Sequence, residues 1–200
     1  MKRIWPKLVI LAILCSPIPT WAGNSVAPSI RNCTWCHGTG AQGYTVAPRL
    51  AGQRSLYIES QLHGYAAHIR DNPLSKQYMW SAAANLDTDA VRNLADYFAS
   101  LPPKSANDGR RALVDRGEVI YLQGIPEANI VACLACHGPA GQGVREIPRL
   151  GGMSYFYLKR RLEEWGQGYH SAVGSPMPLV AGTLGPDEIE ALASYLSFVR

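Results

Sequence analysis

The pattern Cys-x-x-Cys-His occurs twice in this 200-residue chain and constrains its fold more than any other feature. The residues involved are Cys33, Cys36 and His37 in the first copy, and Cys133, Cys136 and His137 in the second. Residues three and four positions apart share a helix face, so both thiols of one copy can reach the edge of one flat ring. This spacing is the attachment signature of haem c, in which the histidine is the proximal ligand of the iron. The sequence therefore predicts two covalently bound haem c groups.

Both copies belong to a longer internal repeat. Further identities at an offset of 100 residues are found at Gly38, Gln42, Gly43, Pro48, Arg49, Leu50, Gly52, Tyr57 and Leu62. At an offset of 98 they are found at Met79, Ala83, Leu86, Asp89, Leu94, Ala95 and Tyr97. The chain is 47% hydrophobic and 17% charged, as expected of a globular protein, and it shows no extended strand-period alternation. We expect an all-α fold of two tandem haem domains that arose by duplication.

The domain boundaries follow from composition. Residues 23–101 form the predicted N-terminal domain, residues 102–108 a Pro-containing polar linker, and residues 109–200 the C-terminal domain. Helical patterns begin with Ser55 as N-cap, near Asp87, and at about Arg110. Residues 24–32 leave little room for an opening helix before the first motif.

The first 22 residues have the pattern of a secretory signal peptide. Basic residues are followed by an unbroken apolar run at 8–15 and by the small-x-small site 20–22. This predicts a periplasmic protein, with retention as an uncleaved membrane anchor as the alternative. Cleavage leaves 16 Lys and Arg against 15 Asp and Glu, a net charge of +1. A charge this low does not indicate a nucleic-acid partner.

The repeat also selects candidates for the second iron ligand. Met79 aligns with Met177, whereas Met153 aligns with Gln53. A thioether opposite the imidazole raises the reduction potential and is typical of electron-carrying cytochromes c. The predicted iron ligands are therefore His37 with Met79, and His137 with Met177. Filling both axial positions would leave no open site for a substrate.

The spare histidines are weaker candidates because none of them aligns with another histidine. They are His63, His68 and His170. His63 or His68 remains the fallback for the first haem, since the bulky Trp80 follows Met79 where Pro178 follows Met177.

Pro48 and Pro148 follow the two motif histidines at the same distance. A carbonyl near each proline could accept the imidazole N–H and fix the ring orientation, or the proline could simply shape a loop. Arg49 and Arg149 could pair with haem propionates or be ordinary solvated charges.

These features together resemble cytochrome c4, a family of dihaem, two-domain periplasmic cytochromes. The resemblance is carried by both Cys-x-x-Cys-His-Gly runs, residues 48–53, the two methionine segments, and the closing stretches 94–98 and 192–196. It implies His/Met ligation of both irons and domains related by approximate two-fold symmetry. It also implies electron transfer from a quinol-oxidising complex or dehydrogenase toward a terminal oxidase or reductase, through transient redox partners. Membrane association would then come through those complexes. In such folds the last helix of a domain crosses the first, here at Gly117 against Tyr195.

Other functions remain open. A dihaem peroxidase or a sulfur-compound dehydrogenase would need an open axial position on at least one haem. A cytochrome subunit held in a dehydrogenase complex would have the same sequence features as a free carrier. A zinc ribbon needs its two Cys pairs much closer together, and a thioredoxin-like site needs a βαβ setting. We therefore expect an electron-transfer protein rather than an enzyme.

Overall fold

The computed structural model describes residues 26–169 and 176–200, which form helices joined by loops. Within these ranges no β-strand occurs, and isolated bridges join Ile125 to Ile130 and Val144 to Ile147. The predicted all-α fold is confirmed. The predicted signal peptide lies outside the described residues. Among the helices described, none combines the length and the apolar character needed to cross a membrane.

The first half of the chain contains helices that surround a small core. Its elements are α1 (Val26–His37), α2 (Ser55–Ala66), a π-helical turn (Ser75–Met79), α3 (Trp80–Ala83) and α4 (Thr88–Ser100). The helix α4 packs against α1 and α2. The core of this half is centred on Ile58, Leu94 and Phe98.

The second half repeats this order with an extra opening helix. Its elements are a 3₁₀ turn (Arg111–Leu113), α5 (Val114–Gln123), a second 3₁₀ turn (Pro126–Ala128), α6 (Leu134–His137), α7 (Tyr155–Gly166), α8 (Met177–Ala181) and α9 (Pro186–Phe198). Its core contains Tyr121, Leu158, Leu192 and Leu196 and is separate from the first. Each half therefore buries its own apolar side chains.

The opening of the first half differs from the prediction. The helix α1 begins at Val26, before the first motif, and runs through the motif to His37. Pro28 does not prevent this, because a proline in the first helical turn removes an N–H that has no intrahelical acceptor. In the second half, α5 and the motif helix α6 are separate elements. The described part of the first half therefore has no separate opening helix like α5, but residues 26–32 are helical because they belong to the helix that carries the motif.

The predicted start of a helix near Asp87 is correct, whereas the predicted cap at Ser55 is wrong. The side chain of Asp87 accepts a hydrogen bond from the Ala90 N–H at 2.7 Å at the start of α4. Ser55, however, is the first residue of α2, and Arg54 occupies the N-cap position. The Ser55 hydroxyl instead donates to Asp96 on α4 at 2.6 Å. Ser55 therefore joins two helices of the first half.

The predicted crossing of the first and last helices is confirmed in the second half. At Gly117 on α5, an added Cβ would lie 2.1 Å from the Ala191 carbonyl oxygen and 2.6 Å from the Tyr195 Cβ. Only a residue without a side chain allows two helix backbones to approach this closely. Gly117 therefore sets the distance between α5 and α9.

Arg49 is not the solvated charge that was one of the two roles expected for it. The side chain is 4% exposed and its guanidinium donates to three backbone carbonyls, those of Lys104 at 2.6 Å and of Gly151 and Gly152 at 2.7 Å. Arg149 donates in the opposite direction, from Nε to the Gly52 carbonyl at 3.1 Å. The two arginines thus fasten the halves together, and the repeat places them at equivalent positions.

Gln53 contributes a second connection between the halves. Its amide accepts a hydrogen bond from the Arg149 N–H at 2.7 Å and donates to the Arg149 carbonyl at 3.0 Å. It also approaches the sulfur of the buried Met153, its counterpart in the repeat, at 3.8 Å. This contact gives Met153 a packing role at the interface.

Candidate functional site

The two cysteine pairs have the geometry expected of haem attachment. Cys33 and Cys36 lie on the last turns of α1, and Cys133 and Cys136 lie at the start of and within α6. All four are free thiols, and in each pair the first is half-buried and the second exposed. Burial raises the pKa of Cys33, and it raises that of Cys133 to about 11. The thiols of Cys33 and Cys133 are therefore protonated at neutral pH and unsuited to act as bare thiolates.

Both motif histidines are buried and held in one orientation. The His37 Nδ1 donates to the Pro48 carbonyl at 2.7 Å, and the His137 Nδ1 donates to the Pro148 carbonyl at 2.9 Å. A carbonyl can only accept, so Nδ1 carries the proton and Nε2 keeps its lone pair. The predicted carbonyl contact is confirmed, and it is the device that orients metal-bound imidazoles.

Burial lowers the pKa of His37 and of His137. The imidazoles are therefore neutral at pH 7, which is the form that binds a metal. Each ring thus keeps an unprotonated Nε2, and each histidine shares one helical segment with its two cysteines.

The loop that carries each proline is tightened by a glycine. Gly43 and Gly143 have φ of +80° and +70°, and each donates its N–H to the carbonyl of its motif histidine, at 2.9 and 2.8 Å. An added Cβ would lie 2.5 Å from the Arg49 nitrogen at Gly43 and 2.6 Å from the Arg149 nitrogen at Gly143. These glycines allow the chain to turn back sharply enough to bring the proline carbonyl to the histidine ring.

The two candidate methionines occupy matching places. Met79 ends the π-helical turn and is followed by α3, and Met177 is the first residue of α8. Both are half-buried. A π-helical turn in this position is notable because such turns concentrate at functional sites. Ligation of the iron by these sulfurs stays a prediction.

The two described spare histidines, His63 and His68, lie on the surface of the first half. Both are exposed, and the His68 ring stacks on Trp80 with centroids 3.9 Å apart. The Trp80 Nε1 donates to the Arg70 carbonyl at 2.9 Å, so the residue that replaces the proline of the second half is firmly anchored. His170 lies outside the described residues.

These residues fit a covalently bound haem in each half. Two unpaired thiols and a neutral, oriented imidazole meet on a single helical segment in each case. Cys33, Cys36 and His37 would hold the first group, and Cys133, Cys136 and His137 the second. When bound, haem supplies a one-electron couple at its iron.

A group of residues between the halves was missed by the sequence reasoning. Arg70 is buried beyond the end of α2, and its Nη2 donates to the Tyr157 hydroxyl on α7 at 3.3 Å. Nothing in the pattern around Arg70 indicates burial, because it lies in a polar stretch between helices. A weak signal was available in Tyr57 and Tyr157, which are identical positions of the repeat.

The comparisons with known proteins agree with this description. The sequence profile of the Cytochrome c family matches residues 22–102 and 114–199. The chain is 37% identical to cytochrome c-552 of Acidithiobacillus ferridurans, over 83% of this chain and 73% of that protein. It is 34% identical to a thiosulfate dehydrogenase electron acceptor of Stutzerimonas stutzeri, over 100% of this chain and 97% of that protein.

The fold of this chain is also similar to that of a solved cytochrome c4 structure. The cytochrome c4 of Acidithiobacillus ferrooxidans superposes with a TM-score of 0.78 at 35% identity, covering 84% of this chain and 99% of that one. Because the superposition covers nearly all of that two-domain protein, it includes both halves of this chain and both Cys-x-x-Cys-His motifs. The chain therefore belongs to the cytochrome c family, as a dihaem electron carrier of the cytochrome c4 type with two covalently bound haem c groups.

Proposed function

We propose that this chain is a periplasmic electron carrier that accepts electrons from a thiosulfate-oxidising dehydrogenase and passes them toward a terminal oxidase or reductase. The observation that carries the proposal is the full-length similarity to a thiosulfate dehydrogenase electron acceptor. A match over the entire length of both chains includes the interface between the halves as well as the motifs. A quinol-oxidising complex is the alternative donor, as the resemblance to cytochrome c4 implies.

The proposal assigns a simple task to the chain's own residues. His37 and His137 would each hold one axial position, with Nε2 unprotonated and the ring fixed by a proline carbonyl. Met79 and Met177 would close the opposite positions. The thioether-forming cysteines would keep each group in place through oxidation and reduction. With both axial positions filled, the chain transfers electrons and does not transform a substrate.

The predicted organisation supports this assignment. Residues 1–22 would direct export and be removed, residues 23–101 and 109–200 would each carry one haem, and residues 102–108 would join them. Covalent attachment suits a periplasmic protein because a tethered cofactor cannot be lost to the medium.

The proposed donor can be tested with purified components. The oxidised dihaem protein is mixed with thiosulfate, with a purified thiosulfate dehydrogenase, and with both, while reduction of the haems is followed by visible absorbance. We expect rapid reduction only when enzyme and thiosulfate are both present.

Two outcomes would contradict this expectation. Catalytic turnover of thiosulfate by the chain alone would make it an enzyme. No reduction by the complete mixture, together with rapid reduction by a quinol-oxidising complex, would assign the other donor.

The ligand assignment gives a prediction in each half. Met79→Ala and Met177→Ala should each lower the reduction potential of one haem, because the sulfur ligand favours the reduced iron. Each variant should also bind an added ligand such as imidazole at one iron per chain. The measurement is a potentiometric titration with imidazole binding followed by absorbance.

Met153→Ala is the matched control, because Met153 packs at the interface and has no methionine at its repeat position. It should leave both potentials close to those of the parent. If Met79→Ala kept the parent spectrum and potential while His68→Ala changed them, His68 would be the ligand of the first iron.

A further inference from the structure

Arg70 is a buried cation at the contact between the two halves. Its side chain is 5% exposed, and its guanidinium donates to the Gln61 side chain at 2.6 Å and to the Tyr157 hydroxyl at 3.3 Å. The guanidinium also lies 4.9 Å from the centre of the Tyr65 ring. Its Nε has no hydrogen-bond partner. All of these neighbours are formally neutral.

No carboxylate of this chain balances the charge. Among the described residues, no Asp or Glu lies within ion-pair distance of Arg70, and the sequence outside those ranges contains neither residue type. The nearby Glu164 on α7 is already occupied. It pairs with Arg161 and with Arg160, the latter at 3.6 Å, and accepts a hydrogen bond from Asn72 at 3.1 Å. The cluster therefore has more positive than negative charge.

An unbalanced charge in this place is costly. Removing one partner of a buried ion pair typically costs about 3–5 kcal/mol, because the remaining ion has lost its hydration and has no counter-charge. Arg70 cannot relieve this cost by losing its proton, since a guanidinium stays charged in proteins. The structure therefore needs an anion that no carboxylate of the polypeptide provides.

The position of Arg70 indicates where that anion comes from. The Arg70 carbonyl accepts a hydrogen bond from the Trp80 Nε1 at 2.9 Å, and Trp80 directly follows Met79, the predicted second ligand of the first iron. The Arg70 side chain also reaches Tyr157 in the second half. The surroundings are closed, because Asn72, Tyr65, Tyr157 and Glu164 are all buried. A carboxylate tethered to the first haem suits such a closed site better than an ion that must enter from solvent.

We infer that Arg70 binds a propionate of the first haem, the one attached through Cys33 and Cys36, and that this pair lies against Tyr157 of the second half. An arginine forms its strongest contacts with carboxylates, through parallel N–H donors. The free Nε, beside the Nη groups, is a donor available for such a contact. The pair would tie the first haem to the domain interface. The inference rests on haem attachment and on neither of the proposed electron donors.

The residues facing Arg70 offer one competing anion. Burial raises the pKa of Tyr57 to about 12 and also raises that of Tyr65, so both phenols are neutral at pH 7. For Tyr157, burial raises the pKa, but the charges of Arg70 and Arg161 outweigh this effect and lower it. A Tyr157 phenolate is thus the internal alternative to a propionate, and a sulfate-like anion from solution is the external one.

The test is potentiometry of the dihaem protein as a function of pH. Arg70→Gln removes a positive charge beside the first haem, which favours the oxidised iron. We expect the equilibrium constant for reduction of one haem to fall about tenfold. For a one-electron couple, this lowers the reduction potential by about 59 mV. The released propionate would lose its counter-charge, so its pKa should rise toward neutrality. That haem's potential should then increase as the pH falls, in contrast to the parent.

Two variants serve as controls. Arg70→Lys keeps the charge and should restore a pH-independent potential. Arg160→Gln removes one charge from the same interface, but Arg160 donates to the Val46 carbonyl at 2.9 Å and faces Glu164, which keeps Arg161 as its partner. Arg160→Gln should therefore change the reduction potential much less than Arg70→Gln does, and the potential should stay independent of pH.

Three results would overturn the inference. The first is an Arg70→Gln protein with the parent potentials at every pH. The second is a Tyr157→Phe protein whose potential rises about as much as the Arg70→Gln potential is expected to fall, which would identify a phenolate as the counter-ion. The third is a parent potential that changes with added sulfate at constant ionic strength. The last two measurements keep Arg70 in place, so they decide the question even if Arg70→Gln does not accumulate with haem.

Discussion

Replacing Cys133 and Cys136 together by alanine is expected to halve the covalently bound haem, from two groups per chain to one. Both thiols lie on one helical segment beside His137, and no other described cysteine lies in the second half. No thioether bond to that half can then form. Because the first half has its own core and its own motif, its haem should be retained. The pyridine haemochrome assay on denatured protein measures this directly.

The reciprocal variant, with Cys33 and Cys36 replaced, is the matched control and should also retain one haem. The two variants should differ in which reduction potential survives, which assigns each potential to a half. A chain that still carried two covalent haems after either double replacement would disprove attachment through these motifs. Loss of both haems from one variant would instead show that the halves depend on each other to fold.

Gly117→Ala is expected to destabilise the second half by about 2–3 kcal/mol, a typical cost of overpacking a close contact. The new Cβ would lie 2.1 Å from the Ala191 carbonyl oxygen, and a helix backbone cannot move away as a flexible side chain can. The helices α5 and α9 would have to separate, which would also disturb the packing of Tyr121 against Tyr195, whose ring centres are 5.6 Å apart. Urea unfolding followed by circular dichroism should show the second half unfolding before the first.

Gly64→Ala is the control for this prediction, because Gly64 is also a helical glycine. The nearest atom to its added Cβ is the Arg70 Cβ at 3.8 Å, an ordinary contact distance. Replacing a helical glycine by alanine without a clash is worth about 0.5–1 kcal/mol of added stability. The two substitutions are chemically identical, so opposite signs would isolate the effect of the helix crossing. Equal stabilities for both variants would contradict the close approach at Gly117.

The chemistry of the site could be predicted from sequence because it depends on residues close together in the chain. Cys33, Cys36 and His37 share two turns of one helix, and helix geometry alone places them on one side. The proline carbonyl was predictable for the same reason, since a single tight loop joins His37 to Pro48. The repeat then provided the same information a second time.

The local sequence pattern predicted the ends of the helices less well than it predicted the site. Ser55 has the residue type of an N-cap, but Arg54 occupies that place and the Ser55 hydroxyl bonds to Asp96 on another helix. The role of Ser55 is determined by Asp96, which is far away in sequence. The cap preferences of the residues around Ser55 carry no information about such a partner. The helical conformation of residues 26–32 was missed because the motif residues themselves complete that helix.

The sequence by itself determined the cofactor chemistry, the helical class and the duplication, since each follows from spacing along one segment or from identity between segments. Only the tertiary structure decided what the arginines do. Arg49 and Arg70 are both polar residues in polar surroundings along the chain, yet one fastens the halves through backbone carbonyls and the other is buried without a carboxylate. Their roles depend on which groups of the opposite half come within hydrogen-bond distance, and that is fixed only when the two halves pack against each other.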